Sequence, residues 1–321
     1  EYYGQMDRSE WGLIPVSQLD VYKGLIFATF DPEAPSLLQY LGDAAWYLDM
    51  LLDRREEGTE VTGPHRWVAD ANWKSAAENF GGDGYHIAAT HGSGRKVGID
   101  TTNSYTRSLG KAWHMHAGNG HVVNAWEQPE EEAGPWFAQP VAAIGDYMRE
   151  NGAEIEQRLG TARTRLFSPT GGTIFPNMSV HWLTYTIRVW HPRGPNKMEI
   201  WSWSIFDKAA PPKIKEIALD ASLFRFSPSG VFEQDDMDNW AQVSSMAQSV
   251  IAQRHPANYQ MNIDLELWRH PQIRGLLGSL WSDSHQLDFH WELARHLDAE
   301  KWSELNARPS WCEIARKRTA A

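Results

Sequence analysis

The chain has 321 residues, 42% of them hydrophobic and 22% charged, enough to bury a substantial core as one large domain or two smaller ones. Its formal net charge of -11 argues against a nucleic-acid partner, because phosphate-binding surfaces carry clustered Lys and Arg. Cys312 is the only cysteine, so neither an intrachain disulfide nor a Cys-ligated iron-sulfur or zinc site can be built from this chain alone.

No stretch approaches the ~18 uninterrupted apolar residues of a membrane span, and the first residues lack the order of a secretory signal. A soluble, cytoplasmic protein is expected, and the opening on Glu1 rather than Met predicts a fragment. Residues 13–30 hold short β-rich runs, the clearest being GLIFATF at 24–30, closed by Asp31-Pro32. Leu37, Leu38, Leu41, Ala45, Leu48, Leu51 and Leu52 then recur at helical spacing, predicting one amphipathic helix over 36–54 and a domain boundary near residue 35. Residues 127–135 (EQPEEEAGP) are acidic and lack apolar periodicity, so a solvated loop is expected there.

Residues 184–190 and 198–206 are rich in β-branched and aromatic side chains and flank a Pro- and Gly-containing reversal, which predicts antiparallel neighbours. After Pro211-Pro212, the residues Ile214, Ile217, Ala218, Ala221 and Phe224 share a helical face. A second helix is expected over about 235–253 and a late one over 284–297. The 17 Trp are read as packing residues of core and subunit interfaces.

The chemistry is concentrated in ANWKSAAENFGGDGYHIAATH, residues 71–91. His86 and His91 are five residues apart, a separation that rotates side chains by about 140° on an ideal helix, so joint ligation of a metal needs a bend or a helix end between them. Far downstream, FSPSGVFEQDDMDNW (226–240) places Asp235, Asp236 and Asp238 beside the expected start of a helix, where acids also serve as caps.

Together, NWKxxAENFxGDxYHxxxTH and GxFExDDxxN resemble the signature of Rieske non-haem iron ring-hydroxylating dioxygenase large (alpha) subunits of the naphthalene and biphenyl type. IFPNMS (174–179) and RVWHPRGP (188–195) extend the resemblance over nearly the whole chain. It implies an α+β fold: a helix-grip catalytic domain over 35–321, with a mainly antiparallel sheet flanked by helices, preceded by β remnants of the Rieske domain over 1–34. The CxH and CxxH motifs that would hold a [2Fe-2S] cluster are not in this sequence, so that cluster is expected in a missing upstream part.

By motif position, the resemblance implies His86, His91 and Asp236 as ligands of mononuclear Fe(II), with Asp235 a near miss. Two imidazoles and one carboxylate would occupy one face of an octahedral ion and leave adjacent positions open. Asp83 resembles the carboxylate that links the iron site to the Rieske histidine of a neighbouring subunit, and Asn79 and Tyr85 resemble motif residues near the iron. Phe80, His181, Phe226 and Phe232 are the expected substrate pocket, His181 standing where an apolar residue belongs.

The implied reaction adds both atoms of O2 to an aromatic substrate to give a cis-dihydrodiol. Electrons would come from NAD(P)H through a reductase and ferredoxin and the Rieske cluster, and the implied assembly is a homotrimer with or without small beta subunits. A Rieske monooxygenase or demethylase is the enzymatic rival, and a non-catalytic hydrophobic-ligand carrier on the same fold is the rival of another class. His114, His116 and His121 form a further cluster, with His114 and His116 able to share a strand face, but no nearby cysteine completes a ligand pattern, so no second metal is expected.

Overall fold

The computed structural model describes residues 3–97, 112–128, 141–264 and 266–319; the expected acidic loop lies mostly outside them. Strands β1 (Gln18–Tyr22) and β2 (Leu25–Thr29) form a separate antiparallel hairpin. Lys23 and Gly24 join them at φ of 48° and 92°, the backbone a two-residue turn needs to match strand twist. Tyr22 donates its hydroxyl to Asp49 at 2.7 Å, which ties the hairpin to the helix that follows.

That helix is not continuous. It divides into Leu37–Leu41 and Ala44–Leu52, because Gly42 takes φ 50° and the Ala117 carbonyl oxygen would stand only 3.2 Å from any Cβ there. The apolar spacing continues across the break, since Leu41, Leu48, Leu51 and Leu52 all enter one core.

Among the described residues, eight strands build the main sheet in the spatial order β10 (Leu276–Ser279), β4 (Ala112–His116), β5 (Val122–Glu127), β6 (Phe167–Ile174), β7 (Met178–His181), β8 (Thr186–Pro192), β9 (Met198–Asp207) and β3 (Thr59–Ala69). Every neighbouring pair is antiparallel, including the expected β8 and β9, which pair Thr186 with Ser204. Strand alternation sends side chains to two cores. On one face Val180 and Ile187 meet Leu48, Leu51 and Ile144; on the other Trp190, Met198 and Ile200 meet Ala76, Ala77 and Phe80 of the Trp73–Gly82 helix. The α+β expectation holds, with helices on both faces of an antiparallel sheet. No described helix is long and apolar enough to cross a membrane.

The Pro212–Phe226 helix packs Ala218 and Ala221 inward, but Phe224 is half exposed at its end. The next helix is Val231–Ala247, starting four residues before the expected position. Asp235 and Asp236 therefore sit inside it, past the first turn, and capping does not account for them; the acid of the first turn is Glu233. The late helix is Ser284–Asp298, as the spacing predicts.

His121 and His114 are structural connectors. His121 accepts from the Phe175 amide at Nδ1 (2.9 Å) and donates from Nε2 to the Tyr40 carbonyl (2.8 Å). Burial pushes it down to about 4, and pushes His114 down to about 3. A histidine depressed in the folded state contributes stability above its unfolded pKa of ~6.5 that is lost as pH falls toward the folded value. Lowering the pH from 7 to 5 is expected to reduce unfolding free energy, with each such histidine contributing up to ~1.4 kcal/mol per pH unit. Urea unfolding of wild type and His121→Gln across that range checks this, because the variant loses about one proton of pH dependence.

A candidate metal centre between a groove and an aromatic wall

The Trp73–Gly82 helix begins at Asn72, whose side chain accepts the Lys74 amide at 3.0 Å. Its far end is held by the sheet. Asn124 donates to the Phe80 carbonyl at 3.2 Å and His114 donates from Nε2 to the Gly82 carbonyl at 2.6 Å, so side chains satisfy carbonyls that a helix end leaves open. A Cβ at Gly82 would lie 2.5 Å from the His114 ring, so only glycine permits this approach. The loop that follows is fixed in turn by Tyr85, whose hydroxyl donates to Asp283 and accepts from Gln286 at 3.0 Å. Tyr85 is thus an anchor of the loop rather than a member of the site's inner surface.

His86 opens a short helix, His86–Thr90, and His91 lies just past it with φ -92° and ψ 9°. This is the helix end that the five-residue spacing demands, and it turns both rings toward the Val231–Ala247 helix, where Asn239 also bonds Thr90 at 2.8 Å. His86 Nδ1 donates to the Asp83 carbonyl, beside the Asn79 amide at 3.2 Å, and the Asp83 carboxylate accepts the His86 backbone amide at 3.2 Å. His91 Nδ1 faces Asp235 Oδ2 at 3.2 Å. With each Nδ1 holding its proton, both Nε2 atoms present lone pairs.

Those lone pairs converge on one oxygen. Asp236 Oδ1 lies 3.5 Å from His86 Nε2 and 3.2 Å from His91 Nε2, and the three ligand atoms lie within 4.8 Å of one another. Among the described residues this buried oxygen accepts no hydrogen bond. Two imidazole lone pairs facing a carboxylate oxygen repel unless a proton or a metal ion lies between them, and two neutral imidazoles with one carboxylate are a donor set that fits a divalent metal. Burial disfavours the His86 imidazolium, yet its hydrogen bond to Asp83 and the charges of Asp236 and Asp83 outweigh that and raise it to about 9, so without a metal a proton takes the place on Nε2 that the same negative potential offers a metal, which must displace it.

The site has two sides. His86, Asp236, Asn79 and Asp83 line an open groove of about 730 Å³ that also exposes Tyr259 and His290. Burial would raise Asp83, but its bonds and proximity to His86 hold it below the usual carboxylate value. On the other side His91 packs on Phe232 (ring centroids 4.8 Å), Phe232 on Phe226 (5.9 Å), Phe226 on His181 (4.6 Å) and His181 on Phe80 (6.2 Å). The four expected pocket residues therefore form one continuous wall beside His91.

The sequence reading passed over three functional partners. Asp235, taken as a near miss, touches His91 on the nitrogen that does not face Asp236. Arg188 and Glu233 are both completely buried and form an ion pair, with Arg188 also donating to the Phe226 carbonyl at 2.8 Å. Glu233 stands one turn before Asp236, a spacing visible in FEQDD but without meaning until β8 is placed beneath it. In a separate group, Cys312, which sequence spacing placed near no histidine, comes within 4.8 Å of His116 and Asp288. His116 there bonds Asp288 at 2.8 Å and Ser284 at 3.2 Å, a paired buried cluster.

Residues 38–298 match the family described as the ring hydroxylating alpha subunit, catalytic domain. The chain belongs to this family. Across 96% of its length it is 36% identical to the biphenyl dioxygenase subunit alpha of Paraburkholderia xenovorans strain LB400, and it is 34% identical to the chlorobenzene dioxygenase subunit alpha of Cupriavidus sp. strain PS12 over the same share. It spans 66% of the first relative and 69% of the second. A solved naphthalene 1,2-dioxygenase with indole bound in its active site superimposes with a TM-score of 0.84 at 26% identity, covering 99% of this chain and 72% of that one. The family's alpha subunits carry Rieske iron-sulfur and mononuclear iron centres.

Proposed function

We propose that this chain is the catalytic part of an aromatic-ring dioxygenase, in which His86, His91 and Asp236 hold one Fe(II). The observation that carries this reading is Asp236 Oδ1, buried without a hydrogen bond and faced by two Nε2 atoms. When bound, the iron supplies O2 activation for cis-dihydroxylation of an arene, with electrons arriving from NAD(P)H through a reductase and ferredoxin and a [2Fe-2S] Rieske cluster outside this chain.

The chain's own residues then divide the remaining tasks. Asp235 and the Asp83 carbonyl keep protons on the Nδ1 atoms, so that both Nε2 atoms stay free to ligate. Phe232, Phe226, His181 and Phe80 hold a flat ring beside the metal and exclude water there. Asp83 faces the open groove while contacting His86, which suits it to meet the Rieske histidine of a neighbouring subunit; a homotrimer, with or without small beta subunits, would supply that neighbour. Residues 1–34 fit the closing strands of the Rieske domain, since β1 and β2 are a sheet of their own.

Assay of the complete large subunit with its electron carriers under isotopically labelled O2 tests the reaction. A cis-dihydrodiol carrying label at both oxygens supports it; a singly labelled phenol or a demethylated product would replace it with the monooxygenase reading. In the same assay Asp83→Asn is expected to keep its iron and lose turnover coupled to NAD(P)H. Coupled turnover at the wild-type rate would remove Asp83 from the electron route.

A further inference from the structure

The sequence around His114 and His116 offers no cysteine, but the last helix supplies one. Trp311–Thr319 packs Trp311 and Ala315 on Leu267 and Leu276, which seats the half-buried Cys312 beside His116 of β4 and Asp288 of the Ser284–Asp298 helix. The thiol donates to Asp288 Oδ2 at 3.8 Å, the same oxygen that faces His116 Nδ1 at 2.8 Å. His116 and Asp288 are both buried. Three elements distant in the chain thus bring a sulfur, a nitrogen and an oxygen to one place, and none of them belongs to the His86, His91 and Asp236 set.

A line of hydroxyls decides which nitrogen of His116 carries hydrogen. Ser282 Oγ donates to the Ser279 carbonyl at 3.0 Å, so it accepts from Ser284 Oγ at 2.9 Å. The Ser284 proton is spent there, and Ser284 Oγ therefore accepts from His116 Nε2 at 3.2 Å. With hydrogen on Nε2, a neutral ring turns its Nδ1 lone pair toward the Asp288 carboxylate, and the two repel unless a proton or a metal ion lies between them. Holding the far N–H of an imidazole in a hydrogen bond is also how proteins orient a ligating histidine.

The separations suit a tetrahedral ion. Zinc at ~2.0–2.1 Å from nitrogen and oxygen and ~2.3 Å from sulfur sets N and O ~3.3 Å apart and S and O ~3.6 Å apart. Nδ1 and Oδ2 need open by only about half an ångström from 2.8 Å, and the sulfur already stands at 3.8 Å from Oδ2. A thiolate with an imidazole and a carboxylate holds Zn2+ or Co2+ more tightly than Fe2+.

We propose that His116, Asp288 and Cys312 form a second metal site, selective for a thiophilic divalent cation such as Zn2+, which fastens the last helix to β4. Its place is structural: two residues along the same strand, His114 holds the Gly82 carbonyl at the end of the Trp73–Gly82 helix. Loading releases the thiol proton, since the thiolate is the ligand.

The test is a Co2+ titration of the chain, kept reduced and anaerobic, followed by displacement with Zn2+. Cys312 is the only thiol, so thiolate-to-cobalt charge-transfer absorption reports this site and is silent about the iron set, which has no sulfur. Wild type is expected to develop the band with about one equivalent of cobalt and to lose it to zinc. Cys312→Ser should show no band, and Asp288→Asn should bind more than ~100-fold more weakly, beyond the usual cost of losing only an orienting partner. No band in folded wild type at equimolar cobalt overturns the site, whatever the variants do, and unchanged affinity in Asp288→Asn reduces it to a lone thiol and overturns it too. Zn2+ should also raise the urea midpoint of wild type more than that of Cys312→Ser. Equal shifts overturn the fastening of the last helix.

Discussion

Asp236→Ala, purified anaerobically and exposed to Fe(II) before unbound metal is removed, is expected to retain no stoichiometric iron, while wild type holds about one per chain. The substitution removes the one carboxylate oxygen among the described residues on which His86 and His91 converge, and with it the negative charge that offsets the cation. His91→Ala should lose iron as well, since it removes the ligand seated between Asp236 and the aromatic wall. Asp235→Asn provides the internal comparison. It touches His91 only at Nδ1, so iron should remain, bound ~10–100-fold more weakly, the usual cost of losing a partner that orients a ligand. Full loss in Asp235→Asn with retention in Asp236→Ala would exchange the two assignments. Absence of iron from folded wild type would favour a carrier of hydrophobic ligands on the same fold.

The largest stability effect is expected at Arg188. Arg188→Met leaves Glu233 buried and unpaired, which costs ~3–5 kcal/mol, because a carboxylate shut away from water has lost its cation. Burial already pushes Glu233 up to about 7 against the pull of Arg188, a measure of how poorly this location tolerates the charge. Arg188→Met with Glu233→Leu should recover most of the loss, since buried ion pairs and apolar replacements of like volume are often close in stability. Urea unfolding of the two singles and the double measures the coupling. A cost below ~1 kcal/mol for Arg188→Met would mean that the pair is not the strut joining β8 to the first turn of the Asp236 helix. Iron affinity should fall in the single variants too, because that turn sets where Asp236 stands.

Much of the fold could be read from local pattern. Strands β8 and β9 show as β-branched and aromatic runs around a Pro-Gly reversal, and the late helix shows as Leu287, Trp291 and Ala294 at helical spacing. The helix over 36–54 was misread where Gly42 interrupts it, because the stop depends on the Ala117 carbonyl arriving from a distant strand end. The start of the Val231–Ala247 helix was misplaced because its acids resembled caps. Only the seating of Glu233 under Arg188 reveals the true first turn.

The candidate site divides in the same way. The residue types and the spacings of His86, His91 and Asp236 stand in the sequence, as does the need for a helix end between the two histidines, since these follow from donor chemistry and helical geometry. Their convergence on one oxygen, the pairing of Asp235 with His91, the burial of Arg188 with Glu233 and the approach of Cys312 to His116 were decided by tertiary structure alone. Periodicity and propensity constrain each segment against its own backbone, whereas these contacts join segments distant in the chain and exist only once the sheet order and both cores are formed.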